Sequence, residues 1–194
     1  MKRVLLAVAV ASLWGCDFPL RRSPQVVAVL PEFSMTAVGP AATTPFGRAD
    51  LLGKVWVADF IFTRCSGPCP LMSETMNRLA KSLPAEVRLL TVSVDPEGDT
   101  PERLRAYARR YAADPVRWIF VRGEIKATYD LLYAGFRLPI SIDPAAAAEV
   151  RVSHSTRFAL IDQNGAVRGF YDALNDLDNA ALVRDASRLL EVGS

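Results

Sequence analysis

Histidine is almost absent from this chain: His154 is the only one in 194 residues. Cysteine is scarce as well, with three in all. A four-ligand zinc site therefore lacks an obvious fourth donor. Charge of one sign is missing. There are 23 basic and 21 acidic residues, and the arginines are spread along the chain. That leaves no basic stripe of the kind nucleic acid binding needs. No glycine-rich phosphate loop occurs, and no nucleophile-elbow motif accompanies the histidine. Internal repeats and low-complexity segments are absent too. Hydrophobic residues, at 51%, are too many for a disordered chain and enough for one ordinary core.

The apolar stretch at the start, Val4 to Leu13, is too short for a convincing membrane span. Lys2 and Arg3 precede it, and Gly15-Cys16 follow, which is the layout of an export signal. Leu13-Trp14-Gly15-Cys16 resembles a bacterial lipoprotein box, with Trp14 where a small residue is usual. The expected organisation is a signal over 1–15, a tether over 16–30 and a folded domain over 31–194. Cys16 is then the lipidated residue. Its removal from the thiol count leaves Cys65 and Cys69 as a pair outside the cytoplasm, where they can oxidise. Cleavage before Cys16 also removes two basic residues and no acids, so the mature side chains balance in charge.

Along the domain, Phe33, Met35 and Ala37 alternate with polar residues as a half-buried strand does, and Gly39-Pro40 marks a turn. Val55 to Phe62 is a nearly continuous apolar run, long enough for a central strand. Leu71, Met72, Met76, Leu79 and Leu83 follow at helical spacing, with Pro70 at the start and Pro84 as the stop. Val87 to Val94 is a second core strand. Thr100-Pro101 opens the next helix, and 116–121 is a third strand. A short helix over 124–134 precedes an irregular, alanine-rich segment, 138–152, read as an inserted loop. Two strands joined at Asn164-Gly165 predict a hairpin, and 176–190 a closing helix. Strands joined by helices must run parallel, because the crossover covers a face. The fold class is therefore α/β: a thioredoxin-like sandwich with a central mixed sheet, an N-terminal β-hairpin extension and an inserted loop before the histidine.

Chemistry in such sheets collects at the carboxyl ends of the strands. Phe62-Thr63-Arg64-Cys65-Ser66-Gly67-Pro68-Cys69-Pro70 lies there. Cys69 sits at a helix start, where the dipole and free N–H groups favour anionic sulfur, so a depressed thiol pKa is expected for Cys69. Three intervening residues, one more than in thioredoxin-type enzymes, still permit a disulfide but also let both sulfurs face one ion. Val152-Ser153-His154-Ser155 directly precedes a strand, at the place where those enzymes carry a proline opposite their cysteines. Two sulfurs and an imidazole suit copper: sulfur favours Cu(I), and the ring helps retain Cu(II). A plain structural disulfide and an ordinary polar histidine are the simpler readings of the same residues. Met72 and Met76 fit the core better than a ligand set. Trp56 and Trp118 fit packing, and turn and cap roles suffice for Asp95 and Asp99.

Gly53-Lys54-Val55 leading into Phe60-Ile61-Phe62-Thr63-Arg64-Cys65 and Cys69-Pro70 resembles the Sco/SenC family of copper proteins. Ser93-Val94-Asp95-Pro96 with Asp99-Thr100-Pro101 is similar to its second signature, and Val152-Ser153-His154-Ser155 with Phe158 to Asp162 to its third. The resemblance runs from about Phe33 to the C-terminus. It implies copper held by Cys65, Cys69 and His154 in an exported, membrane-tethered domain on the periplasmic or extracytoplasmic face. It also implies a role in assembling the copper-A centre of cytochrome c oxidase, as copper donor, thiol reductant or both. The implied partner is the copper-A-bearing oxidase subunit, together with a second periplasmic copper chaperone or a thioredoxin-like reductase. Two departures stand out: Ser66 replaces the family's usual proline, and Ser153 its common aspartate. A thiol–disulfide oxidoreductase without metal, and a redox or copper sensor, remain as alternatives.

Overall fold

The computed structural model describes residues 24–192. The export signal, Cys16 and the first part of the expected tether lie outside them. One eight-stranded sheet organises the chain. Its strands are β1 (Ala28–Val29), β2 (Ser34–Val38), β3 (Thr43–Gly47), β4 (Trp56–Ile61), β5 (Arg88–Ser93), β6 (Trp118–Arg122), β9 (Arg157–Ile161) and β10 (Ala166–Asp172). A separate two-stranded arm holds β7 (Ile140–Ile142) and β8 (Val152–His154). The helices are α1 (Arg48–Leu51), α2 (Cys69–Ser82), α3 (Pro101–Arg110), α4 (Ile125–Asp130), continued by a π-helical turn at Leu131–Gly135, and α5 (Asp176–Val192).

The spatial order is β1-β10-β9-β4-β5-β6-β2-β3. β4, β5 and β6 run parallel, as the helical crossovers require, and every other pairing is antiparallel. This is the expected mixed sheet with an N-terminal hairpin, β2–β3. All six residues of β4 are buried, because the strand is central and covered on both faces. Phe60 packs edge-on against Phe136 of the π-turn at 4.8 Å between ring centres. Met72 and Met76 of α2 are wholly buried in the core.

Local chemistry sets the ends of these elements. Thr100 caps α3 by accepting the Arg103 N–H, with Pro101 at the first helical position. Helix α2 begins at Cys69, one residue before Pro70, so the cysteine itself occupies the first turn. In the β9–β10 hairpin Gly165 takes φ of 73°, a left-handed conformation in which glycine is unstrained. The Asp162 carboxylate accepts the N–H groups of Asn164 and Ala166, both at 2.9 Å.

Two segments differ from the sequence reading. Ala28–Val29 pairs with the free edge of β10, and Leu30 is buried, so ordered backbone begins inside the stretch read as tether. A two-residue strand carries no readable period. Within 138–152, read as irregular, Ile140–Ile142 and Val152–His154 pair into the β7–β8 arm. The expected insertion is thus a hairpin whose far strand carries the histidine.

Arg117 ties the end of α2 to β5. Its guanidinium donates to the carbonyls of Ala80, Leu83, Pro84 and Val87. Arg117→Ala strands several of these acceptors at once. It should lower stability by about 2 kcal/mol, read as a lower urea midpoint with an unchanged slope.

Candidate metal centre

Backbone leaving β4 turns at once, with the Cys65 N–H bonded to the Phe62 carbonyl at 3.2 Å. Two carboxylates from the loop after β5 fix this turn. Asp99 accepts the Thr63 N–H at 3.0 Å and the Thr63 hydroxyl at 2.6 Å, while Ser93 Oγ donates to its other oxygen at 2.6 Å. Asp95 takes the Arg64 guanidinium at 2.6 Å and the Gly98 N–H at 3.2 Å. These two residues do more than turn and cap: they strap the cysteine loop to the neighbouring strand end. Arg151, on the histidine arm, approaches the same Asp95 at 3.7 Å and Glu97 at 3.8 Å. The Ser66 N–H reaches the Glu149 carbonyl at 3.3 Å. The cysteine loop and the arm are therefore joined on both sides of Cys65.

These contacts bring the three expected residues to one place. Cys69, in the first turn of α2, is fully buried, and Cys65 is partly exposed; neither is in a disulfide. His154 ends β8, with Nε2 3.3 Å from Cys69 Sγ. Its Nδ1 lies 2.9 Å from the Ser155 carbonyl. A carbonyl only accepts, so Nδ1 carries a proton, and Nε2 is the ring nitrogen that faces the sulfurs. Phe62 stands edge-on to the ring at 6.0 Å. A cleft of about 200 Å³ opens here, lined by Phe62, Cys65, Gly67, Pro68, Glu149, Val150, Val152, Ser153 and His154. The donors adjoin without closing round one point: no group of three His, Cys, Asp or Glu side chains among the described residues stands in ion-holding geometry.

The acidities of the two thiols are split, in the direction opposite to that expected from the helix dipole. The Cys65 thiol is pushed down to about 4, chiefly by the hydrogen bond Cys69 donates to it, with His154 and the N–H groups of Cys69 and Gly67 adding to this against burial. Cys69 is pushed far up, by that same hydrogen bond and by burial. A pair this close shares one proton. The wetter sulfur takes the charge and the buried one keeps the hydrogen, which outweighs the dipole at the start of α2.

One more group belongs to this region and was passed over as strand. Asp59 is completely buried in β4, receives the Thr91 hydroxyl at 2.6 Å on Oδ1, and has no partner for Oδ2. Thr91 is held in turn by the Trp118 indole N–H at 2.8 Å. Burial raises the Asp59 carboxyl to about 7. Its field reaches Cys69, His154 and Tyr107. Tyr107 shares a 2.8 Å hydrogen bond with Ser73 and lies 3.4 Å from the Cys69 carbonyl, beneath the first turn of α2. A carboxylate inside an otherwise apolar run was the signal in the sequence.

Two measurements follow from these acidities. In the reduced, metal-free chain, Cys65 should be alkylated first and at a pH well below the ~8.5 of a free thiol, while Cys69 stays protected. Cys69→Ala should move the Cys65 profile upward, and equal labelling of both thiols would contradict the split. For Asp59 the sign is set by a folded pKa above the unfolded value of about 3.9. The stability from burying the neutral acid is whole below that value and drains away as pH climbs to about 7. Asp59→Asn should therefore gain on the wild type by roughly 4 kcal/mol across that window, seen by urea unfolding at each pH.

Comparison with known proteins matches residues 25–191 to the SCO1/SenC family. A SCO1 protein homolog from Bacillus subtilis (strain 168) is 33% identical over 139 residues, covering 70% of each chain. The crystal structure of a SCO1/SenC family lipoprotein from Bacillus anthracis superposes with a TM-score of 0.76 at 34% identity, over 87% of this chain and 98% of that one. Bradyrhizobium japonicum ScoI, solved with copper bound, shares the fold at a TM-score of 0.68 and 18% identity, over 84% and 99%. With its cysteine loop, carboxylate strap and histidine arm in one continuous match, the chain belongs to the SCO1/SenC family.

Proposed function

We propose that this chain is a copper chaperone, anchored through a lipidated Cys16 and a short tether on the extracytoplasmic face of a membrane. In this reading Cys65, Cys69 and His154 hold one copper ion for delivery to the copper-A-bearing subunit of cytochrome c oxidase. The carrying observation is the meeting of the two thiols with Nε2 of the chain's single histidine, 3.3 Å from Cys69 Sγ. The donor set fits the ion. Two sulfurs and one imidazole match copper in softness, and Nε2 is the ring nitrogen turned toward them while Nδ1 bonds the Ser155 carbonyl. The relative with copper bound supports the same assignment.

Copper is cargo here, so the site has to surrender it. Of the two sulfurs Cys65 is the reachable one, while Cys69 is buried; an incoming thiol therefore meets Cys65 first. A second reading, thiol–disulfide exchange, is favoured by the split acidities. Cys65 as thiolate attacks a partner disulfide and releases one partner sulfur as thiolate. Cys69 then gives up its proton and attacks the mixed disulfide, releasing the second. Two electrons pass to the partner, and Cys65 and Cys69 end as a disulfide.

One experiment separates the two readings. The reduced full chain should bind one equivalent of copper, with a thiolate-to-copper charge-transfer band that disappears in Cys65→Ser and Cys69→Ser. His154→Ala should weaken binding by more than the about 10–100-fold typical of losing a group outside the ligand set, yet still reduce a disulfide. Absence of stoichiometric binding, or binding indifferent to His154→Ala, would sink the chaperone reading.

A further inference from the structure

His154 has a second side. Ser153 and His154 line both the cysteine cleft and a separate groove of about 510 Å³, whose lining also includes Arg137 and Arg157. Ser141 and Thr156 line the groove as well, and no acidic residue does. Both arginines are exposed. Among the described residues neither guanidinium makes an ion pair or a hydrogen bond. Asp172, opposite Arg157 in the β9–β10 register, uses its carboxylate on the Leu174 N–H instead. The cysteine side is different, since Arg64 and Arg151 there are matched by Asp95 and Glu97. Uncompensated positive charge is thus confined to the groove side of the histidine.

Two further facts make this arrangement specific. Arg137 follows the π-turn with φ of 53°, a left-handed conformation in which glycine is free of strain and a side chain costs about 1 kcal/mol or more. Holding an arginine there spends stability on a cation with no partner in the described chain. Ser153, exposed beside His154, adds a hydroxyl and no charge to the lining.

We infer that this groove docks an acidic, extended segment of the protein that receives copper, laying it across His154 between Arg137 and Arg157. The inference rests on the chaperone reading for the identity of the partner. The two guanidinium groups of the lining pair with carboxylates, and its hydroxyls hydrogen-bond an extended backbone. A segment seated there brings the acceptor's neighbouring thiols to the wall it shares with the cysteine cleft. An anionic membrane is the poorer occupant, because surface attraction to lipid takes clusters of about four to eight basic residues, not two inside a groove.

The test uses the reduced full chain and a fluorescent peptide of alternating glutamate and serine, followed by anisotropy. The peptide should bind, more weakly as salt rises, and a lysine–serine peptide should not. Arg137→Gly relieves the left-handed strain, so the pair Arg137→Gly/Arg157→Gln folds without that penalty. It should weaken the peptide about tenfold and leave copper stoichiometry unchanged. Arg157→Glu alone should weaken it as well, and Arg109→Glu, on the exposed face of α3, should not. No peptide binding, equal binding by the paired variant, or binding of phosphatidylglycerol vesicles in place of the peptide would overturn the inference. Copper bound without the peptide defeats the groove alone. Peptide bound without copper upholds the groove and removes the chaperone reading.

Discussion

Everything at the site hangs on the two carboxylates of the loop after β5. Asp99 grips Thr63 through both backbone and hydroxyl, and Asp95 grips Arg64. Without them Thr63 to Pro68 would be held only by the backbone bonds from Cys65 to Phe62 and from Ser66 to Glu149. Both acids are nearly inaccessible, at 0% and 4% exposure, so their bonds act where water screens little. Asp95 also faces Arg151 of the histidine arm, which means a single carboxylate positions both halves of the donor set.

The same low dielectric separates the roles of the sulfurs. Two thiols in water would titrate alike. Here one is buried in the first turn of α2 and the other stands at the mouth of a cleft, so the charge settles on the sulfur that water and backbone N–H groups can reach. Asp59 belongs to this balance. An ionised carboxylate below Cys69 would oppose a second negative charge there, and a neutral one would permit it. The structure leaves Oδ2 without a partner, and burial holds the acid near neutrality.

Sequence patterns made the scaffold readable wherever a pattern repeats over several residues. The apolar run that became β4, the helical spacing of Met72, Met76 and Leu79, the Thr100-Pro101 cap and the Asn164-Gly165 turn all carry local signals, and all appear in place. The convergence of Cys65, Cys69 and His154 was legible from their positions at element ends. What stayed hidden depends on contacts between distant residues. Thr63 and Asp99 are 36 positions apart, and Arg151 and Asp95 are 56; no local period links them. The arm was masked by the proline- and alanine-rich stretch between its two three-residue strands. The acidity order of the thiols failed for a related reason: a helix dipole can be read from a sequence, but the relative burial of two sulfurs cannot.

A carrier faces opposed demands, since a site tight enough to protect a copper ion resists giving it away. In the proposed carrier these demands would be divided among Cys65, Cys69 and His154 rather than met by weakening all three. Cys69 and His154 are anchored, one by the first turn of a helix and the other by a strand end with its Nδ1 bonded to a carbonyl. Of the two sulfurs, Cys69 is buried and only Cys65 is exposed enough for another molecule's sulfur to replace it. In that reading, exchange that starts at Cys65 would leave Cys69 and His154 to hold the ion while the third donor is traded. The departures at Ser66 and Ser153 touch only the approach to this donor and the rim beside His154. They therefore bear on which partner docks and from which side, and leave the donor set itself intact.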